Sequence, residues 1–529
     1  MSTPIADAPV IDSKRLIAIN SASKYVTLVV GNLVVFFLTP YLIQTLGPLL
    51  LGLKTLAHQA LQFVGLAHTA MGISYERYAK HSFARGDYNE LNSNLSAGFL
   101  VSAISALLFA AGSVALAWWA GPLFSLTPEL VAIARPVFLL IGISTAFLIL
   151  TGVWETPAFV TERFYVQDVG HLICTLASAG LVVLAFEYGT PSIFVWVLLS
   201  NGALVAWRLF VMMPLARRLL PSFRIAPSLV KSSGAVWSMM AFGGLNFIGG
   251  IGFLLYYTSD SIIISNLPEL GPEMIVFYNV AQRWDPQIRV LVMAFVGTLL
   301  PLMTAQVARQ DFSALRSTFL RGTRYSLLIG IAPAVLLIAF AEPFLRHWVG
   351  ADFARISAPV LQLIMLQFLL CIPERMAYNV NIAFARMKGP VFMALACGVL
   401  NIILSIALVR GAGWGLLGIA AGSVAALLII SIYSIGYALR LLDCPWRDWL
   451  TAGCLRPLFA ALPLYGVALL VKGMWTPANL LDVFVIFAVC GIVYLPMAWG
   501  LGLNRDDRSE VGGILRRLWG RVTRRGADA

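Results

Sequence analysis

Apolar runs long enough to cross a bilayer recur along almost the whole chain, separated by short breaks of Gly, Pro or charge. They fall near 17–43, 49–74, 95–120, 131–153, 165–186 and 191–214, then near 235–265, 273–304, 325–345, 357–374, 389–410 and 413–439. Two more follow near 451–472 and 479–502. A bilayer core takes about 20 apolar residues of helix. The pattern therefore predicts an all-α polytopic membrane protein of about 14 transmembrane helices, in two sets of six plus two at the C-terminal end.

The two sets of six carry matching segments. Leu46-Gly47-Pro48 recurs as Leu270-Gly271-Pro272, and ARGDYNELNSNLSAG from Ala84 to Gly98 recurs as ARQDFSALRSTFLRG from Ala308 to Gly322. One offset, 224 residues, serves both pairs without a gap. Duplication is the simplest explanation, and a doubled helical bundle is the signature of a transporter with two pseudosymmetric halves. The expected organisation is a cytoplasmic N-terminal segment 1–16, an N-lobe 17–214, an inter-lobe loop 215–234 and a C-lobe 235–440. Two added helices within 451–502 and a basic tail 503–529 complete it.

Composition agrees with the pattern. Hydrophobic residues make up 59% of the chain, charged residues 12%, and the mean hydropathy is +0.84; soluble domains carry about 25% charged residues. The first 16 residues are polar and lead into a full-length span, so no cleavable signal peptide is expected. The six cysteines lack CxxC spacing, and neither a disulfide framework nor a metal site is expected.

The net charge of +12 follows topology. With both termini cytoplasmic, the inner segments hold 26 Lys and Arg, including Arg77, Lys80, Arg217, Arg218 and seven arginines beyond 503, against Arg346, Arg355, Arg410 and Lys472 outside. That is the positive-inside bias of a multi-pass protein, and nucleic acid is not an expected partner. All loops are short, and no Asp, Glu or His pair clusters in an outer one. A membrane glycan polymerase or acyltransferase would need such a loop, so no catalytic residues are assigned.

Ionisable groups inside spans usually face a bundle interior or a watery cavity. In helix 1, Asn20, Lys24 and Thr27 share a face, with Lys24 about 10 Å deep. Helix 2 carries Lys54, His58, Gln59 and Gln62 at helical spacing. Helix 8 carries Asn279, Gln282, Arg283, Asp285, Gln287 and Arg289 around Pro286, with Arg283 about 16 Å deep. The offset of 224 relates His58 and Gln59 to Gln282 and Arg283, so the two stripes are expected to face a shared central cavity. Lys24, Lys54, Arg283 and Arg289 would bind an anionic group such as a diphosphate there. Asn20, His58, Gln59, Gln62, Asn279, Gln282 and Gln287 would line the cavity, and Pro286 would break the helix. Asp260 and Asp285 are candidates for coupling to H⁺, Na⁺ or membrane potential, with Glu155 and Glu374 also considered; no other cofactor is expected.

Plainer readings stand beside these. Arg283 or Arg289 pairs with Asp285, Lys24 snorkels to the inner interface, His58 packs as a satisfied histidine, and Asp260 makes a structural hydrogen bond. Gly243, Gly244, Gly249, Gly250 and Gly252 allow helix 7 close packing. Ile514, Leu515, Leu518, Trp519 and Val522 among the tail arginines predict an amphipathic helix on the anionic inner leaflet, with a solvated basic tail as the plainer reading.

Several motifs resemble one transporter family. Phe37-Leu38-Thr39-Pro40, Leu46-Gly47, Arg77-Tyr78-Ala79, Ala84-Arg85-Gly86-Asp87, Asp260-Ser261-Ile262-Ile263-Ile264 and Tyr278-Asn279-Val280-Ala281 look like the polysaccharide transporter family. That family belongs to the multidrug, oligosaccharidyl-lipid and polysaccharide flippase superfamily, which includes O-antigen and lipid II flippases. The resemblance covers helices 1 to 12. It implies two six-helix lobes working by alternating access in a bacterial inner membrane. An undecaprenyl-diphosphate-linked glycan is the implied cargo, and polysaccharide polymerase machinery an implied partner. The family's cationic positions on helices 1, 2 and 8 map onto Lys24, Lys54 and Arg283. Helices 13 and 14 depart from twelve-helix O-antigen flippases and are similar in number to those of the lipid II flippase. One complete two-lobed chain points to a working monomer. A drug/cation antiporter of the same superfamily would want an acidic cavity, which the Lys and Arg excess opposes.

Overall fold

The computed structural model describes residues 13–230, 250–252, 254–510 and 512–513. Among them no strand occurs, and twelve helices are long and apolar enough to cross a membrane. The first, Arg15–Leu66, covers two predicted spans, and most of the first half of predicted helix 7 lies outside the described residues. With those two allowances the twelve map one to one onto the fourteen expected runs. Gly243, Gly244 and Gly249 of helix 7, and tail residues Ile514, Leu515, Leu518, Trp519 and Val522, also lie outside the described residues.

The chain divides into two compact units, Met1–Val276 and Phe277–Ala529. Unit one comprises α1 (Ser13–Ala84), α2 (Tyr88–Trp118), α3 (Ala120–Phe124), α4 (Pro128–Leu150), α5 (Thr156–Val160), α6 (Tyr165–Glu187), α7 (Ile193–Trp207), α8 (Met213–Leu219) and α9 (Ser259–Asn266). Unit two comprises α10 (Met274–Gln282, entering from unit one), α11 (Trp284–Ala308), α12 (Phe312–Val349), α13 (Ala351–Cys371), α14 (Glu374–Ala383), α15 (Lys388–Ala412), α16 (Gly415–Leu441), α17 (Arg456–Met474) and α18 (Leu480–Met497). The division differs from the expected break at 215–234. Predicted helix 7 belongs with unit one because α9 is tied there: Ser265 donates to the Phe124 carbonyl at 2.8 Å and Ser125 to Asn266 at 3.1 Å.

The repeated motifs adopt repeated conformations. Gly47 and Gly271 both have left-handed backbone, φ 79° and 83°, which glycine adopts without a Cβ clash. Gly47 thereby bends α1 where predicted spans 1 and 2 meet. At the second motif Gly86 and its counterpart Gln310 are both left-handed, φ 70° and 56°. The next residues, Asp87 and Asp311, cap the following helices by accepting from the N–H of Glu90 at 2.8 Å and of Ala314 at 3.0 Å. An aspartate there satisfies an orphan donor and complements the helix dipole.

Helix surfaces are apolar outside as well as in. Leu107, Phe210, Leu470 and Leu481 are among the exposed large side chains, the pattern of a protein whose solvent is lipid. The inner core of unit one gathers Tyr75, Ala79, Leu91, Leu95, Val153, Val160, Ala216 and Leu220. In unit two Trp284 packs edge-on against Phe344 and Trp348, with centroids at 4.9 and 5.3 Å.

Candidate functional site

Helix α1 brings the predicted residues of helices 1 and 2 to unit one. Asn20 is spent on the corner between α5 and α6: its amide donates to the Glu162 carbonyl at 2.7 Å and its carbonyl accepts from the Tyr165 N–H at 3.0 Å. Ser23 donates to the Asp168 carboxylate and Thr27 to the Asp168 carbonyl, both at 3.0 Å. Lys24, on the edge of the same face, is exposed.

Past the Gly47 bend, Lys54 is half-buried with its ammonium 4.5 Å from the centroid of Trp196 on α7. A cation over an indole face is attracted by the ring quadrupole. His58 and Gln62 are exposed and Gln59 is half-buried. The Thr258 hydroxyl reaches Gln62 at a long 3.4 Å, joining the stripe to the start of α9. Asp260, in the first turn of α9, is 2% exposed.

In unit two the helix breaks at Arg283, between α10 and α11, three residues before Pro286. The displacement has a simple cause. Pro286 has no N–H for the Gln282 carbonyl and its ring crowds that carbonyl, so the ladder opens upstream of the proline. Arg283 is half-buried, and among the described residues no ion pair or side-chain hydrogen bond engages its guanidinium. Arg289 behaves differently. It grips Asp285 through both oxygens, Nη2 at 2.5 and 2.7 Å and Nε at 3.1 Å, with its guanidinium 5.5 Å from the Phe368 centroid. Asp285 is 4% exposed. Two predicted roles therefore meet in one internal pair, the plainer of the two readings of those residues. Asn279, Gln282 and Gln287 are half-buried along α10 and α11, and the Asn279 carbonyl accepts the Arg283 N–H at 3.0 Å.

The lipid II flippase MurJ, in an inward closed conformation, superposes with a TM-score of 0.66 over 91% of this chain and 98% of its own, at 15% identity. A multidrug resistance MATE family transporter of the MOP superfamily, inward-facing, gives 0.62 over 79% and 94% at 13% identity. The chain has the fold shared by MurJ and the MATE transporters. By sequence, the "Uncharacterized membrane protein EpsK" of Bacillus subtilis (strain 168) is 24% identical over 430 residues, 80% of this chain and 83% of that protein. No protein-family model matches. A MurJ/MATE fold with an EpsK-like relative agrees with the polysaccharide-flippase resemblance of the motifs.

Two buried charge networks escaped the sequence reading. Arg208 lies within predicted span 6, opens the π-helical turn Arg208–Met212 and is 8% exposed. It pairs with Glu155 at 2.6 Å and donates to the Thr151 carbonyl at 2.9 Å. A lone arginine in an apolar run was itself the signal that a partner was needed. In unit two, fully buried Asp507 accepts from Arg324, from Arg321 Nε at 3.0 Å and from the Tyr325 hydroxyl at 3.0 Å. A separate cavity of about 550 Å³, lined by Glu342, Arg346, Asp352, Arg355 and Gln362, contains none of the predicted residues.

Proposed function

We propose that the protein is a flippase that moves an undecaprenyl-diphosphate-linked oligosaccharide from the inner to the outer leaflet of a bacterial inner membrane, by alternating access, for cell-surface polysaccharide synthesis. Arg283 carries the reading. A guanidinium half-buried at a helix break, deep in an apolar span and without an ionic partner among the described residues, is costly unless an anion completes it. A diphosphate offers the paired acceptors that a planar guanidinium engages best. Lys54, held over Trp196, and Lys24, exposed on α1, supply further positive charge for the same cargo. Arg289 enters as the residue that fixes Asp285.

The inner-membrane location and cytoplasmic termini rest on the positive-inside count. The basic tail would meet anionic lipids. The MurJ likeness and the two C-terminal helices favour one alternative cargo, the peptidoglycan precursor lipid II.

The test is export in cells that depend on this gene. Arg283→Ala and Lys24→Ala should each reduce surface glycan while the protein remains in the membrane at normal amount. Unchanged export in both variants would remove the cationic mechanism. Glycan polymerisation in vitro that depends on the protein would replace transport with enzymology.

A further inference from the structure

In unit two, α12 breaks near its outer end. Phe340 leaves helical backbone, φ −111° and ψ 19°, just before Pro343. Pro343 has no N–H to return to the Ala339 carbonyl, and that carbonyl accepts from the Lys472 ammonium at 3.0 Å instead. The Ile338 carbonyl beside it accepts from the Gln362 amide of α13, also at 3.0 Å. Between the bent end of α12 and the first half of α13 lies the cavity of about 550 Å³, inside the range of about 300–1,000 Å³ that small-molecule sites occupy. Its walls carry four charges. Glu342 and Arg346 stand one turn apart on α12 and pair at 2.6 Å, while Asp352 and Arg355 open α13, 3.7 Å apart. All four side chains are more than half exposed, so these ion pairs hold little energy and leave most of each guanidinium's five donors to a ligand. On the positive-inside count only Arg410 and Lys472 join these two arginines outside, and cations are sparse there for a physical reason. Two of the four nevertheless line one crevice.

Contacts along α13 fix which way the crevice faces. Phe353 stacks on Phe277 of α10 at 4.2 Å, the Ser357 hydroxyl donates to the Phe277 carbonyl at 2.8 Å, and Phe368 lies under the Arg289 guanidinium of α11. Residues 353, 357 and 368 are therefore the face toward α10 and α11. Asp352, Arg355, Pro359, Gln362, Leu366 and Leu370 recur every three or four residues and form the far face. Leu366 and Leu370 are exposed there, and a leucine exposed within a span meets lipid tails as apolar as itself. The crevice thus opens to lipid on the side away from the α10–α11 break that carries Arg283. Predicted spans end near 345 and resume near 357, which sets the four charges at headgroup depth and Leu366 about 14 Å into the hydrocarbon.

We propose that this crevice binds a zwitterionic phosphoethanolamine lipid of the outer leaflet. The phosphate takes Arg346 and Arg355, each of which offers paired donors. The ammonium, with three donors and no acceptor, goes to Glu342 and Asp352, and one acyl chain runs down past Gln362 to Leu366. Charge complementarity selects this occupant. A purely anionic headgroup meets two carboxylates it cannot satisfy, and a quaternary ammonium has no N–H to give them. The bound lipid ties the bent end of α12 to the start of α13. Its leaflet rests on the positive-inside count; the site lies apart from Arg283 and does not depend on the flippase reading.

Native mass spectrometry of the purified, delipidated protein, re-mixed with equal amounts of phosphatidylethanolamine, phosphatidylglycerol and phosphatidylcholine, reads the preference. Wild type should retain phosphatidylethanolamine over the other two. Arg355→Gln and Glu342→Gln should each weaken that retention about tenfold, the effect of one hydrogen bond to a charged group. Arg410→Gln, which removes an exposed outer cation beyond the crevice, should leave it unchanged. Because the substituted side chains are exposed, all three variants should melt with wild type, which separates lost binding from lost fold. Equal retention of the three lipids by wild type, full retention by both crevice variants, or an equal loss in Arg410→Gln would overturn the assignment. Undecaprenyl diphosphate is the competing source of phosphate and should leave phosphatidylethanolamine in place. Its displacing that lipid from wild type would give the crevice to the cargo carrier instead of a phospholipid.

Discussion

Asp507 offers a sharp test of how the C-terminal end is held. Residues 505–510 are helical and are bound to α12 chiefly through the Asp507 carboxylate, which has no exposed surface and takes Arg324, Arg321 and the Tyr325 hydroxyl together. Arg324 is also buried, and its remaining donors go to the Ala452 carbonyl. Asp507→Ala would leave that guanidinium in the core facing one carbonyl. Breaking a buried pair from one side costs about 3–5 kcal/mol. With an unfolding entropy of about 2.1 cal/mol/K per residue over the chain, this lowers Tm by about 3–5 °C. Glu510 touches the same Arg321 from the rim, with 56% of its side chain exposed, and Glu510→Ala should cost only about 0–1 kcal/mol. Tryptophan fluorescence melts of the purified protein in detergent compare the three. If Asp507→Ala melts with wild type, or Glu510→Ala melts as low as Asp507→Ala, burial is not what gives this network its strength.

Three further outcomes follow from the same geometry. Arg289→Ala strands buried Asp285 and should lower Tm as Asp507→Ala does, whereas Arg283→Ala removes a half-buried cation with no ionic partner among the described residues and should leave Tm unchanged or raise it; equal melts would erase the distinction drawn between the two arginines. Gly52→Ala places a Cβ on the Pro272 carbonyl oxygen, so protein recovered after membrane extraction should fall sharply, and normal recovery would mean that the two segments do not meet as described. Because burial pushes the Glu76 carboxyl up in the folded protein, its contribution to stability is present in full below the unfolded glutamate value and is lost as pH rises through about 7. Wild type should therefore melt lower on going from about pH 5 to about pH 8 by more than Glu76→Gln does, and parallel curves would contradict it.

Much of the fold was legible because lipid imposes a length and a sign. Apolar runs of spanning length located the helices, and the repeat paired segments that share a local conformation in the structure: Gly47 with Gly271, Asp87 with Asp311. The site was legible only in part. Lys54 and Arg283 stood out as charges in apolar runs, but periodicity along one helix carries no distance to another. Nothing local tells that Asn20 would be consumed by residues 162 and 165, that Arg208 would find Glu155, or that Asp507 would meet arginines more than 180 residues earlier. Nor does anything local tell that α9 would be held by Phe124 and Ser125, far away in sequence. Pro286 did announce a break, and the proline's reach to the residue four positions earlier set where it falls.

The most direct measurement is equilibrium binding of an undecaprenyl-diphosphate oligosaccharide to the purified protein, wild type against Arg283→Ala, with Arg289→Gln alongside. Saturable binding by wild type, lost in Arg283→Ala and kept in a folded Arg289→Gln, is the predicted result. Equal binding by wild type and Arg283→Ala would contradict the claim that this guanidinium receives the diphosphate.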